Sequence, residues 1–257
     1  MKIKVYYHKL LIGSIIIWVI VVASPKAIAD SLQSPQLTQD SIKATPQKPL
    51  FIDGNQNFST MATNEGWSGT GTKLNPYNIT GLEIINSSVH LIEIQNTDVH
   101  FSITGNTLDG ISKAKEGIIL TNVSNGKIMN NVINHTFVGI HLLKATNITI
   151  SGNEISHSRT AGIFSSSSES LEIIGNTITK NGDEDALLND VLGAGIGICC
   201  RYTQSSVVRD NQLIKNLYDC IALISCSWNV IQGNILCDST FKWQGQFRGY
   251  GIGVGDT

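Results

Sequence analysis

The sequence predicts an all-β fold, a right-handed parallel β-helix wound from coils of 22–23 residues. Composition points that way first: the 257 residues include 36 Ile against 20 Leu, with 22 Asn and 24 Gly. Helical bundles favour Leu, Ala, Glu and Lys, whereas β-branched residues with Asn and Gly suit strands joined by tight turns. A repeated motif is the second observation. Asn106, Asn131, Asn153, Asn176, Asn211 and Asn234 each have an aliphatic residue three places before and Ile or Leu two places after. The third is a linked column: fourteen residues before the last five stand Gly117, Gly139, Gly162, Gly197 and Cys220, each followed by Ile. A unit of that length cannot bury its apolar side chains alone. Stacked copies can, with each aliphatic column running along the core at about 4.8 Å per strand. Parallel crossovers of this kind wind right-handed. The repeated Asn is expected to occupy a left-handed bend and to hydrogen-bond along the stack.

The elements follow in order. Lys2, Lys4 and Lys9 precede an apolar run from Leu10 to Ala23, and Ala27-Ile28-Ala29 supplies small residues at a cleavage position. Residues 1–29 therefore read as a secretory signal cleaved after Ala29, which places the rest outside the cell or on its surface. Uncleaved, the same segment would be the protein's sole membrane contact. Residues 30–49 are polar and hold three of the five prolines, as a linker does. Residues 50–90 form the N-terminal cap and lead-in, and 91–257 the coils. The chain stops inside a coil at Tyr250-Gly-Ile-Gly-Val-Gly-Asp-Thr257, so a continuation or a covering partner is expected. The net charge is −2, or 14 − 20 = −6 without the first 29 residues, and Lys and Arg are not clustered. That excludes nucleic acid as a partner.

Units such as VGIHLLKATNITISGNEISHS and AGIFSSSSESLEIIGNTITKN resemble the parallel β-helix repeats of NosD-type proteins. The lead-in FIDGNQNF…GWSGTGTKLNPYNITGLEI is similar to the opening of such helices in surface proteins. The resemblance covers roughly residues 50–257 and implies the fold and export. It leaves activity open, because the repeat hosts binders, lyases, hydrolases, epimerases and scaffolds.

Two turns are much longer than the rest. Residues 179–196 carry Asp183, Glu184, Asp185 and Asp190; residues 237–250 carry Phe241, Lys242, Trp243, Phe247, Arg248 and Tyr250. Both interrupt the same turn two coils apart, so they should leave one edge, with Lys215, Tyr218 and Asp219 between them. The reading adopted is an exported structural or carbohydrate-recognition module without catalysis, in which Trp243, Tyr250, Phe247, Arg248 and Tyr218 are the ligand-binding candidates. An alternative is a polysaccharide lyase or hydrolase, with Asp183, Asp185 and Asp190 as candidates for its paired carboxylates. Against it, the Asn-Thr-Asp, Asp-Asp and Gly-His-Gly signatures of pectin hydrolases are absent, as is the Asp-Pro-His-Asp of mannuronan epimerases. A third is a NosD-like accessory role in copper-enzyme maturation.

No cofactor is called for. Ca²⁺ is the ion that Asp183-Glu184-Asp185 could use, although no EF-hand-like spacing accompanies them. His135 and His157 both fall four residues after a repeat Asn and should stack, a weak candidate pair for Zn²⁺ or Cu²⁺ lacking an evident third ligand. Cys199, Cys200, Cys220, Cys226 and Cys237 share no column and read mainly as small core residues, with one bridge left open.

Overall fold

The computed structural model describes residues 47–86, 88–111, 113, 115–183, 195–237, 242–243, 246–247 and 251–255. Residues 1–46, which hold the segment expected to be a signal and most of the expected linker, lie outside these residues. Three parallel sheets wrap one core. The first has eight strands, Leu50–Asp53, Ile92–Thr97, Ile118–Val123, Val138–Leu143, Ala161–Ser166, Ile196–Arg201, Ile221–Ile224 and Ile252–Gly255. The second runs over seven strands from Tyr77–Thr80 to Val230–Gln232, and the third over seven from Glu83–Ile85 to Ile235–Cys237. The chain visits the sheets in that order, coil after coil. This is the expected β-solenoid.

The aliphatic columns set the register. In the first sheet Ile92, Ile118, Ile140, Ile163, Ile198, Ile221 and Ile252 pair in sequence. Ile103, Ile128, Ile150, Ile173, Val208 and Ile231 do so in the second, and Leu108, Ile133, Ile155, Ile178, Leu213 and Leu236 in the third. Slipping any strand by one residue would turn its Ile into solvent, so each column fixes the pairing.

The repeat Asn residues form a buried ladder. The backbone N–H and side-chain amide of Asn106 both donate to Oδ1 of Asn131, at 3.0 and 2.9 Å. The pattern repeats through Asn153, Asn176, Asn211 and Asn234. The expectation of left-handed backbone at these Asn is corrected. Positive φ falls one residue earlier, at Gly105, Asn130, Gly152, Gly175, Asp210 and Gly233. The preceding residue makes the bend, and the bend turns the Asn amide inward. Glycine at 139 answers instead to space. A Cβ there would lie 2.4 Å from Cγ2 of Ile155 and 2.5 Å from the carbonyl oxygen of Gly162.

A helix over Gly54–Asn64 interrupts the first coil. Its Phe58 is fully buried, with ring centroids 5.2 Å from Tyr77 and 5.4 Å from Phe101. No helix among the described residues is long and apolar enough to cross a membrane. A second apolar cluster, outside the coil core, gathers Val138, Ala161, Phe164, Ile196, Cys199 and Ala222. It includes residues facing outward from the first sheet.

Cys199, Cys200 and Cys226 are free thiols, and Cys220 is buried in the core. Cys200 sits in the core, and burial pushes its thiol up to about 12. Burial raises Cys199 as well. The side chain of Cys237 lies outside the described residues.

Candidate functional site

The strands place both long turns where the sequence puts them. The third-sheet strand Thr177–Thr179 is followed by the first-sheet strand Ile196–Arg201, and Ile235–Cys237 by Ile252–Gly255. Within the first turn, Asp183 is half-buried, its carboxylate 3.4 Å from Nε of Arg159. Asp185 and Asp190 lie outside the described residues, as do Arg248 and Tyr250. Trp243 and Phe247 belong to a two-residue antiparallel pairing, Lys242–Trp243 against Gln246–Phe247, whose side chains are also outside the description. Tyr218 does not stand free on the edge. It is half-buried against the outer apolar cluster, and Asp219 is buried, because the chain is already entering the next first-sheet strand. Lys215 remains exposed.

His135 and His157 stack as their spacing predicts, with ring centroids 5.3 Å apart and planes at 23°. Nδ1 of His135 is 3.2 Å from Asp109, and Nδ1 of His157 is 2.9 Å from Oγ of Ser156. Burial holds His157 below the usual imidazole value, and the charges of His135, Lys180 and Lys113 add to the effect. The rings lie face to face rather than aiming nitrogens at one point. Among the described residues no group of three or more His, Cys, Asp or Glu is arranged to hold a metal ion.

A second histidine cluster escaped the sequence reading. Nδ1 of His90 lies 2.5 Å from one oxygen of Glu116, and Nδ1 of His141 lies 3.6 Å from the other. His141 stands on the outward face of the first sheet, edge-on to Phe164 at 5.2 Å. At 3.6 Å its contact with Glu116 is an ion-pair separation rather than a hydrogen bond, and Nδ1 has no hydrogen-bond partner. Burial opposes the charge on Glu116, but the two histidines outweigh it and hold the carboxyl below its usual value.

An extended polar groove also went unseen in the sequence. It follows the corner between the first and second sheets. Four residues after each first-sheet Ile stand Asn96, Asn122, Lys144, Ser167, Tyr202 and Ser225, all with positive φ. This shared bend opens a groove. One section, about 580 Å³, lies among Asn55, Asp98, Asn122, Ser124, Lys144 and Thr146. The next, about 350 Å³, shares Lys144 and Thr146 and runs on past Ser167, Glu169, Tyr202 and Gln204. Its walls are held by their own hydrogen bonds. Asn122 donates to Asn96 at 3.0 Å, Asn96 to Asp53 at 2.8 Å, Asn55 to Asp98 at 2.7 Å and Gln204 to Glu169 at 3.3 Å. At the far end Tyr202 is 45% exposed, with the guanidinium of Arg201 5.1 Å from its ring centroid. Trp228, on the same corner of the following coil, is exposed too. The recurring four-residue offset from each Ile was the one signal that could have found this groove.

Residues 90–257 match the family described as the right handed beta helix region. No match was found among curated proteins. Among solved structures, a double mutant of the periplasmic alginate epimerase AlgG is similar at 17% identity with a TM-score of 0.52, over 62% of this chain and 35% of that one. The Dettilon tailspike protein is similar at 13% identity with a TM-score of 0.46, over 81% of this chain and 51% of the other. An alginate lyase from Paenibacillus sp. aligns over 72% of this chain and 75% of its own, at 12% identity and a TM-score of 0.37. The chain spans between about a third and a half of the AlgG structures it matches, 35% to 47%. At these identities the likeness is one of fold.

Proposed function

Because the chain belongs to the right-handed β-helix family, whose coils carry one surface corner after another, we propose that it is a carbohydrate-recognition module that holds a glycan along the groove between its first and second sheets without cutting it. The continuity of that groove carries the reading. Side-chain amides, hydroxyls and one ammonium recur at the strand spacing of about 4.8 Å, close to the length of one pyranose in an extended chain. Hydroxyl-rich chains are recognised by such fixed donors and acceptors.

The groove's acids support retention over cleavage. Asp98 and Glu169 occupy equivalent corner positions in the first and fourth of four successive coils, linked through Ser124 and Thr146. Three strand spacings put them about 14 Å apart, beyond the roughly 5–9.5 Å that glycoside hydrolysis requires. Each also accepts a side-chain amide hydrogen bond. In this reading the module works outside the cytoplasm, delivered by its N-terminal segment.

The test is to incubate the full chain, with Ca²⁺, against insoluble neutral and uronic polysaccharides, measuring both retained protein and released sugar. Retention without new reducing ends or unsaturated products is the expected result. Release that is lost in Asp183→Ala would replace this reading with the enzymatic one, sited on the 179–196 turn.

A further inference from the structure

The groove is not uniform along its length, and the difference points to a class of ligand. Five of the six equivalent corner positions hold Asn, Lys or Ser, residues that are small or flexible enough for a left-handed bend. The sixth holds Tyr202 at a φ of 49°. A bulky aromatic is costly in that region of backbone space, so its presence there calls for a compensating role. Tyr202 keeps 45% of its surface exposed in the groove, while its neighbours in the same coil, Thr203 and Cys200, are buried. The guanidinium of Arg201 lies over the ring at 5.1 Å and holds it in place. Nε of Arg201 is itself buried without a hydrogen-bond partner, so stacking on the ring is the placement the structure gives this side chain.

Resting on the glycan-retention reading, we infer that Tyr202, steadied by Arg201, is the specificity-determining platform of the groove, and that its ligand is a neutral, extended polysaccharide. A sugar ring that presents an apolar C–H face can stack on an aromatic side chain while its hydroxyls reach the polar walls beside it. Gln204 and Glu169 lie in the same section of the groove, and Lys144 begins it. The charged residues lining the groove are Lys144 against Asp98 and Glu169. Such a wall, on a chain whose formal charge is −2, gives a polyanion no net attraction. Trp228, on the same corner one coil further, extends the aromatic surface in the direction the ligand runs.

The experiment titrates the full chain by calorimetry with neutral β-linked gluco-, xylo- and manno-oligosaccharides, and in parallel with alginate and polygalacturonate oligosaccharides. Tyr202→Ala should weaken the neutral ligand about tenfold, the size of a lost aromatic stacking contact. Tyr202→Phe should bind as the parent does, because the ring remains. Affinity should change little between low and moderate salt. Three results would overturn the inference in distinguishable ways. Equal affinity of Tyr202→Ala and the parent removes the platform and leaves the groove reading standing. Preference for uronic oligosaccharides, with affinity falling steeply in salt, removes the neutral class. Retention of no polysaccharide by the parent removes the groove reading itself.

Discussion

Oδ1 of Asn153 accepts two hydrogen bonds from Asn131, one from its backbone N–H at 3.0 Å and one from its side-chain amide at 2.9 Å. Asn153 then gives the same pair to Asn176 and a third bond to the carbonyl of Ile128. Every polar atom of a fully buried amide is thereby used.

Replacing Asn153 by Ala would leave two donors of Asn131 unmet inside the core and remove one of the two donors to Asn176 and the side-chain donor to the Ile128 carbonyl, while the backbone N–H of residue 153 still reaches Asn176. Unmet buried groups cost about 1–3 kcal/mol each, and partial relaxation should bring the total to roughly 2–4 kcal/mol. Urea unfolding measures it. Asn147→Gly, which loses one exposed bond to Asn125 but suits the φ of 56° at that position, is the control and should change stability by less than about 0.5 kcal/mol.

Two glycines should respond in opposite ways. Gly139→Ala drives a methyl group against Ile155 and the Gly162 carbonyl and should cost about 1–3 kcal/mol or more. Gly175 has open space around it but a φ of 63°. Its equivalents Asn130 and Asp210 adopt φ of 53° and 57°. Gly175→Asn should therefore be close to neutral, while Gly175→Val should destabilise. Thermal unfolding of the three variants separates steric from conformational causes.

Stability should fall with acid in two stages. His157 is depressed in the folded chain, so the unfolded chain takes up the proton first. Its contribution is complete above the unfolded value of 6.5 and is lost as pH drops below it. Glu116 is depressed too, and as an acid it contributes above its unfolded value of 4.5, losing that contribution as pH falls through the lower folded value. His157→Gln should flatten the melting-temperature profile just below pH 6.5, and Glu116→Gln should flatten it below pH 4.5. A profile unchanged by either substitution would contradict the assignment.

The thiols of Cys199 and Cys200 should be silent. Both are buried and shifted upward, so neither supplies thiolate at pH 8. Incubation of the native chain with a thiol-reactive disulfide, followed by peptide mass mapping, should find both unmodified until denaturant is added.

Much of this architecture could be read from the sequence because its causes are periodic. Ile118, Ile140 and Ile163 recur for one reason, burial, so their spacing reports the coil directly. The Asn ladder was legible in position but not in backbone detail, since the bend belongs to the residue before each Asn. The groove was harder to see. Asn122, Lys144, Ser167 and Tyr202 share a backbone conformation but no side-chain chemistry, so hydropathy has nothing to repeat. His90, Glu116 and His141 come together only once the corners are known, because their columns differ. For the long turns, composition located the insertions but could not say what Tyr218 touches. That depended on an apolar cluster outside the coil core, which no repeat announces.

The interval from Asn153 to Asn176 is 23 residues and that from Asn176 to Asn211 is 35, yet the amide bond across each is 2.9 Å. The corner between the third and first sheets therefore absorbs twelve extra residues without passing any error to the next rung. Chain length is free to change at that corner while the rest of the circuit stays fixed. Insertions and deletions there should be inherited as whole, harmless units, and the same corner is the natural place to graft a foreign peptide onto this scaffold.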